Sequence, residues 1–225
     1  MNRLLLTIII ALSTISSYAQ DEIVVDSIKI RLPDINNEAD RRLLQQRAKE
    51  CVKQMNDYIT SMTASPVNGH PTVKDRYKFR KAALNLFLGN GDSIELANGI
   101  KTAPVMMETT SINSSGKKIK TTRPVKVYFD RLINLIAKGT YTDVKITSTN
   151  IEGMDVTNIR KDEEGRYQCV VSYSQDFIGR RGEVKVYADR TKKTITVYFV
   201  TEKTILGDEL VPKLGDIAAG ETKRL

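Results

Sequence analysis

Few side chains in this sequence are placed to do chemistry. One histidine is present, His70. It lies between Gly69 and Pro71 in a run of chain breakers, which places it in a solvent-facing loop. Acid–base catalysis needs a titratable group held beside the reacting atom, and no His–Asp pair can be assembled around His70. Two carboxylates are candidates for an inward base, Asp130 and Asp143. Burial would raise the pKa of either one, but Asp130 also neighbours Arg131, the pattern of a surface ion pair. The alternating set Tyr167, Cys169, Val171, Tyr173, Gln175 and Phe177 shares one face of a strand. It makes Tyr167, Tyr173 and Gln175 the candidate ligand-binding residues of a hydrogen-bonding, otherwise apolar cavity. A filled core with two satisfied tyrosines would carry the same pattern. No catalytic constellation is expected from these residues.

The remaining reactive groups exclude more than they suggest. Cys51 and Cys169 are the two cysteines. A disulfide between them would close a loop of more than a hundred residues, and two separate buried thiols would satisfy the sequence equally. Neither cysteine neighbours a histidine or another cysteine, which speaks against a zinc site. Cys51 lacks the partnered histidine of a cysteine hydrolase. Asn90-Gly91-Asp92 and Asp162-Glu163-Glu164 lack the ligand spacing of a calcium loop and read as turns. No glycine-rich phosphate loop or nucleophile elbow is present. No cofactor and no metal are expected.

An N-terminal leader sets the compartment. Arg3 precedes an apolar run from Leu4 to Ile15, and Ser17 and Ala19 supply small residues before Gln20. This is the order of a cleaved secretory signal over residues 1–20. The run is shorter than the roughly 20 residues a membrane-spanning helix needs. A periplasmic or secreted mature chain is expected, with cleavage near Ala19 or Gln20. Its net charge of +8 favours anionic partners. Export makes nucleic acid an unexpected partner and leaves an anionic envelope polymer as a candidate. Arg76-Lys78-Arg80-Lys81, Lys117-Lys118-Lys120-Arg123 and Arg190-Lys192-Lys193 carry the densest charge. Lysines on hairpin edges also block edge-to-edge pairing of sheets.

The elements that would position these residues follow from periodicity. Residues 21–36 read as a strand or extended arm. Asn37 caps a helix whose apolar stripe is Leu44, Ala48, Cys51, Met55, Ile59 and Met62. Thr72 opens a second helix with Asp75 as a capping box. Val73, Tyr77, Leu84, Phe87 and Leu88 form its expected inward face, and Gly89 ends it. A hairpin is expected over Pro104–Arg123, turning at Ser114-Ser115-Gly116-Lys117. Pro124 starts a third helix with Val125, Tyr128, Phe129, Leu132 and Ile136 inward, stopped by Gly139. The period then changes to two. Four strands follow, joined by turns at Asp162–Gly165, Gly179–Gly182 and Asp189–Lys193. Residues 204–225 read as a loosely ordered tail.

This order, with Tyr128-Phe129-Asp130-Arg131-Leu132 running through Gly139 into Tyr141–Thr149, resembles the nuclear-transport-factor-2-like (NTF2-like) superfamily. The resemblance covers roughly residues 37–203. It implies an α+β fold, a cone of helices packed on a curved antiparallel sheet; a cystatin-like arrangement is the alternative. It also implies a space between helices and sheet, used in that superfamily as an isomerase, dehydratase or cyclase site, kept as a binding cavity, or filled. With no catalytic set apparent, the expected role is a non-catalytic exported module that binds a protein partner or assembles, including as a homodimer. A pocket for a small apolar ligand is the second reading. An acid–base isomerase or dehydratase using Asp130 or Asp143 is the third.

Overall fold

The computed structural model describes residues 32–67, 69–96, 99–204 and 207–225. The leader and residues 21–31 of the expected strand or arm lie outside the described residues, and residues 32–36 form no strand. Helix α1 spans Glu38–Thr63. The Asn37 side chain accepts hydrogen bonds from the Ala39 and Asp40 amides at 2.9 and 3.2 Å. All six residues of the expected stripe are buried, as the 3.6-residue period requires of a helix with one side against a core.

Helix α2, Val73–Leu84, begins with the Thr72–Asp75 capping box. Its inward face differs from expectation. Val73 and Tyr77 are 54% and 45% exposed, whereas Arg76 is buried. The reason is electrostatic. The last carbonyls of α1 have no partner within the helix, and its last turn holds no basic residue. The Arg76 guanidinium supplies the missing donors, to the carbonyls of Met62 and Ala64. The helix ends at Leu84, before Gly89. Gly89 and Asn90 take the left-handed conformation in a short 3₁₀ turn over Leu88–Gly91.

Strands β1 (Met106–Ile112) and β2 (Lys118–Pro124) form the expected hairpin. Helix α3 spans Val125–Ala137. Strand β3, Asp143–Ser148, follows with Val144 and Ile146 buried. Two short strands, β4 (Asp155–Val156) and β5 (Arg160–Lys161), precede the long strands β6 (Tyr167–Arg181), β7 (Val184–Thr204) and β8 (Gly207–Arg224).

Three expectations fail in this last part. The turn expected at Gly179–Gly182 falls later, at Gly182-Glu183, because Gly179–Arg181 still belong to β6. Asp189–Lys193 is not a turn but the middle of β7. Its polar residues continue the two-residue alternation, with Asp189, Thr191 and Lys193 buried and Arg190 and Lys192 exposed. The segment 204–225 is not a loose tail, because its residues from Gly207 onward form a strand paired along its length with β7. Its apolar phase changes twice. Leu214 is in phase with Leu210, Ile217 and Ala219 take the opposite parity, and Thr222 reverts. Register shifts in the β7–β8 ladder lie between Ile195 and Val197 and between Thr191 and Lys193. Each bulge inserts a residue and flips the face that follows, hiding a strand from a fixed-period reading.

The sheet order is β2-β1-β8-β7-β6-β3, with β4 and β5 also paired to β6. Neighbours run antiparallel except β1 and β8, which meet in parallel at Met107 and Ile217. The architecture is therefore α+β, with three helices of eight residues or more among the described residues, packed on a predominantly antiparallel sheet. Phe129 of α3 meets Phe87 edge to face at 6.0 Å. Around them Leu44, Met55 and Ile59 of α1 pack against Ile195 and Leu214 of the sheet. Among the described residues no helix is long and apolar enough to cross a membrane.

Candidate functional site

The interior is not filled from end to end. A cavity of about 520 Å³ opens between α3 and the sheet face formed by β1, β6 and β7. The register explains what lines it. Phe177 stands opposite Asp189, Gln175 opposite Thr191 and Tyr173 opposite Lys193, so these side chains share one face. Along β7 that face is polar from Tyr187 to Lys193 and apolar from Ile195 to Phe199. The apolar half closes the core; the polar half faces the cavity.

Asp189 is the chemical centre of the cavity. It is 5% exposed. The Tyr187 hydroxyl donates to its Oδ2 at 2.5 Å. That hydroxyl is itself held by the Ile112 amide, which donates to it at 3.0 Å. Burial raises the Asp189 pKa above the usual carboxylate range, against the opposing pull of Tyr187 and Lys193. Burial also pushes the Tyr187 hydroxyl up to about 12, so it stays a donor at neutral pH. Lys193 is buried as well and donates to the Glu108 carbonyl at 2.8 Å. Desolvation brings its pKa down to about 8, although Asp189 and Glu108 favour the charged form.

The apolar wall has two sides. Leu132 and Leu135 descend from α3. Across from them run Tyr141, Phe177 and Tyr187, with successive ring centroids 6.1 and 5.9 Å apart, each pair edge to face. Gly179 makes this row fit, since a Cβ there would stand 2.5 Å from the Tyr141 ring. Beneath the cavity, Gln175 donates to the buried Asn56 side chain at 2.9 Å. Asn56 in turn donates to the Val52 carbonyl of α1.

Of the candidate ligand-binding residues, Gln175 lines the cavity, while Tyr167 and Tyr173 do not. Tyr173 is buried beside Asn56, to which it is hydrogen-bonded. Tyr167 lies under the Lys161 ammonium, 5.2 Å from its ring centroid. The candidate bases Asp130 and Asp143 also stand outside the cavity. Asp130 is paired with Arg80 at 2.8 Å, and Asp143 lies opposite Arg180 at the end of β3. Cys51 and Cys169 are separate buried thiols, and the Cys51 Sγ faces the Pro212 carbonyl at 3.8 Å. Desolvation raises both thiols to about 12, leaving them unreactive at neutral pH. Contrary to expectation, His70 does pair with an aspartate, its Nδ1 lying 3.1 Å from the Asp75 carboxylate, but the pair is at an exposed position outside the cavity. Among the described residues, no group of three or more His, Cys, Asp or Glu is arranged to hold a metal ion.

Asp189 went unread because Asp189-Arg190-Thr191-Lys192-Lys193 has the composition of a turn. The signal that identifies it is parity. Residues 187, 189, 191, 193, 195, 197 and 199 form one unbroken inward series.

No protein-family model matches the chain, and no curated protein matches its sequence. Among solved structures, it is similar to a protein described provisionally as a scytalone dehydratase, from Novosphingobium aromaticivorans. The two are 11% identical, the alignment covers 83% of this chain and 91% of the other, and the TM-score is 0.34. A likeness at that level assigns no activity.

Proposed function

We propose that this chain is a small-molecule pocket protein that takes an organic ligand with an apolar body between α3 and the sheet. The observation that carries the reading is the open cavity of about 520 Å³, within the size range of small-molecule sites. Leucines and aromatic rings form part of its wall, and hydroxyl, amide and charged side chains from β1, α3, β6 and β7 form most of the rest. The element order agrees with the NTF2-like resemblance, in which this space is the binding site. A protein-docking role rested on the premise of an interior without chemistry, and the Asp189 cluster removes that premise. The leader pattern of Met1–Ala19 supports a pocket protein that works outside the cytoplasm.

Titration with the neutral fluorescent probe N-phenyl-1-naphthylamine tests the reading. Saturable binding is expected, weakened about tenfold or more by Leu135→Trp, a change that narrows the cavity beside Phe177 and Tyr141. Absence of saturable binding, or binding indifferent to that substitution, would overturn it.

The Asp189–Tyr187 pair favours a second reading, that the pocket also moves protons. A carboxylate with a raised pKa is a suitable general base. It could take a proton from carbon beside a ligand carbonyl and return the same proton at another carbon, with no oxidant or reductant. Tyr187, fixed by Ile112, holds the carboxylate in place. Conversion of 3-cyclohexen-1-one to its conjugated isomer, followed by ultraviolet absorbance, tests this step. Acceleration over buffer that disappears in Asp189→Asn is expected. Equal rates for the two proteins would reject proton transfer and leave ligand binding standing.

A further inference from the structure

The charges lining the cavity do not balance. Arg123, Arg131, Lys138 and Lys193 line it, against the single carboxylate of Asp189. Some cations elsewhere in the fold have an acid at hand, as Arg80 has Asp130 and Arg190 has Asp176. Arg123, Arg131 and Lys138 take part in no salt bridge among the described residues. Arg123 is half-buried, and its Nη2 donates to the neutral Thr121 hydroxyl at 2.7 Å. It also feels the positive charge of Arg131. The Lys193 ammonium is bonded to a main-chain carbonyl and is in no salt bridge among the described residues.

Two guanidinium groups of like charge beside one cavity are poorly placed in the empty protein. A ligand anion would relieve both, and a guanidinium fork suits the flat or tetrahedral oxyanion of an acid group. Arg123 from β2 and Arg131 from α3 both line the cavity. Leu132 and Leu135 from the same helix furnish the adjoining apolar wall.

We infer that the ligand of this cavity is an organic anion, its acid group held by Arg123 and Arg131 and its apolar ring body lying against Leu132, Leu135 and Phe177. The inference rests on the pocket reading above and deepens it from size and shape to charge.

Two naphthalene probes that differ in one group test it. N-phenyl-1-naphthylamine is neutral, and 1-anilinonaphthalene-8-sulfonate is the same scaffold with a sulfonate. The sulfonate is expected to bind about tenfold more tightly at low salt, with the gap narrowing as salt is added. The double substitution Arg123→Gln with Arg131→Gln should remove that preference and leave the neutral probe within about twofold of wild type. Retained neutral-probe binding also reports that the variant is folded. Should the double variant fail to fold, Arg131→Gln alone, at an exposed position, should narrow the gap. Equal affinity for the two probes, or a preference that survives loss of the arginines, would overturn the anion inference and spare the pocket. Saturable binding of neither probe would overturn both.

Discussion

Asp189 and Lys193 are buried charges whose costs can be read by pH. Asp189 has a raised folded pKa, so the folded chain holds a proton where the unfolded chain, near about 3.9, has released it. Its contribution is complete below that ordinary value and is lost as pH rises through the folded value. Asp189→Asn is therefore expected to raise the thermal midpoint at pH 7. The gain should vanish as the pH falls below about 4. A gain independent of pH would mean the carboxyl is not the titrating group. Lys193 has the opposite sign. Its folded pKa, about 8, lies below the ordinary value of about 10.4. Its stabilising contribution is full above the ordinary value and is lost as pH falls through the folded one. Wild-type stability should accordingly rise relative to Lys193→Met between pH 8 and about 10, measured by chemical denaturation. Parallel curves would place the ammonium in water. Neither residue was legible as a site, because a charged pentad reads as solvent-facing unless its parity is followed into the next strand.

At the scale of elements, legibility tracked regular period. The α1 stripe and the β1–β2 hairpin were readable because local pattern and tertiary burial agree. Arg76 was not, since its role answers to unpaired carbonyls on another helix. Strand β8 was missed for a different reason: two bulges break its apolar set into three short phases. Pro212 adds to the disguise. It lies opposite Phe199, away from the point where β1 meets β8 at Ile217, so its missing N–H falls on a free edge. The strand is nonetheless structural. Leu214 is fully buried, its amide donates to the Leu86 carbonyl at 2.8 Å, and Leu214→Ala should cost about 2–5 kcal/mol in denaturant unfolding. Removal of residues 207–225 should abolish the cooperative transition, since it strips the partner from β7 and takes the buried Leu210, Leu214 and Ile217 out of the core. A truncated chain that melts like the full one would refute this placement of β8.

Across the whole molecule, one sheet serves two purposes. Its face toward α1 is dry and apolar, with Ile195, Val197 and Leu214 fully buried. Further along the same strands, the face toward α3 carries Asp189, Thr191 and Lys193 beside an open volume. The α+β class was visible in the order of helices and strands, but whether the interior is open depends on packing between elements far apart in sequence. Gly179, for example, matters only because Tyr141 lies over it. The claim on which the functional account turns is that this volume receives a ligand. The most direct measurement is an amide chemical-shift titration of the full chain with N-phenyl-1-naphthylamine. We predict saturable shifts concentrated at Thr109–Ser111, Leu132–Leu135, Phe177 and Tyr187–Lys193. Shifts confined to the opposite side of the sheet, or changes that never saturate, would contradict it.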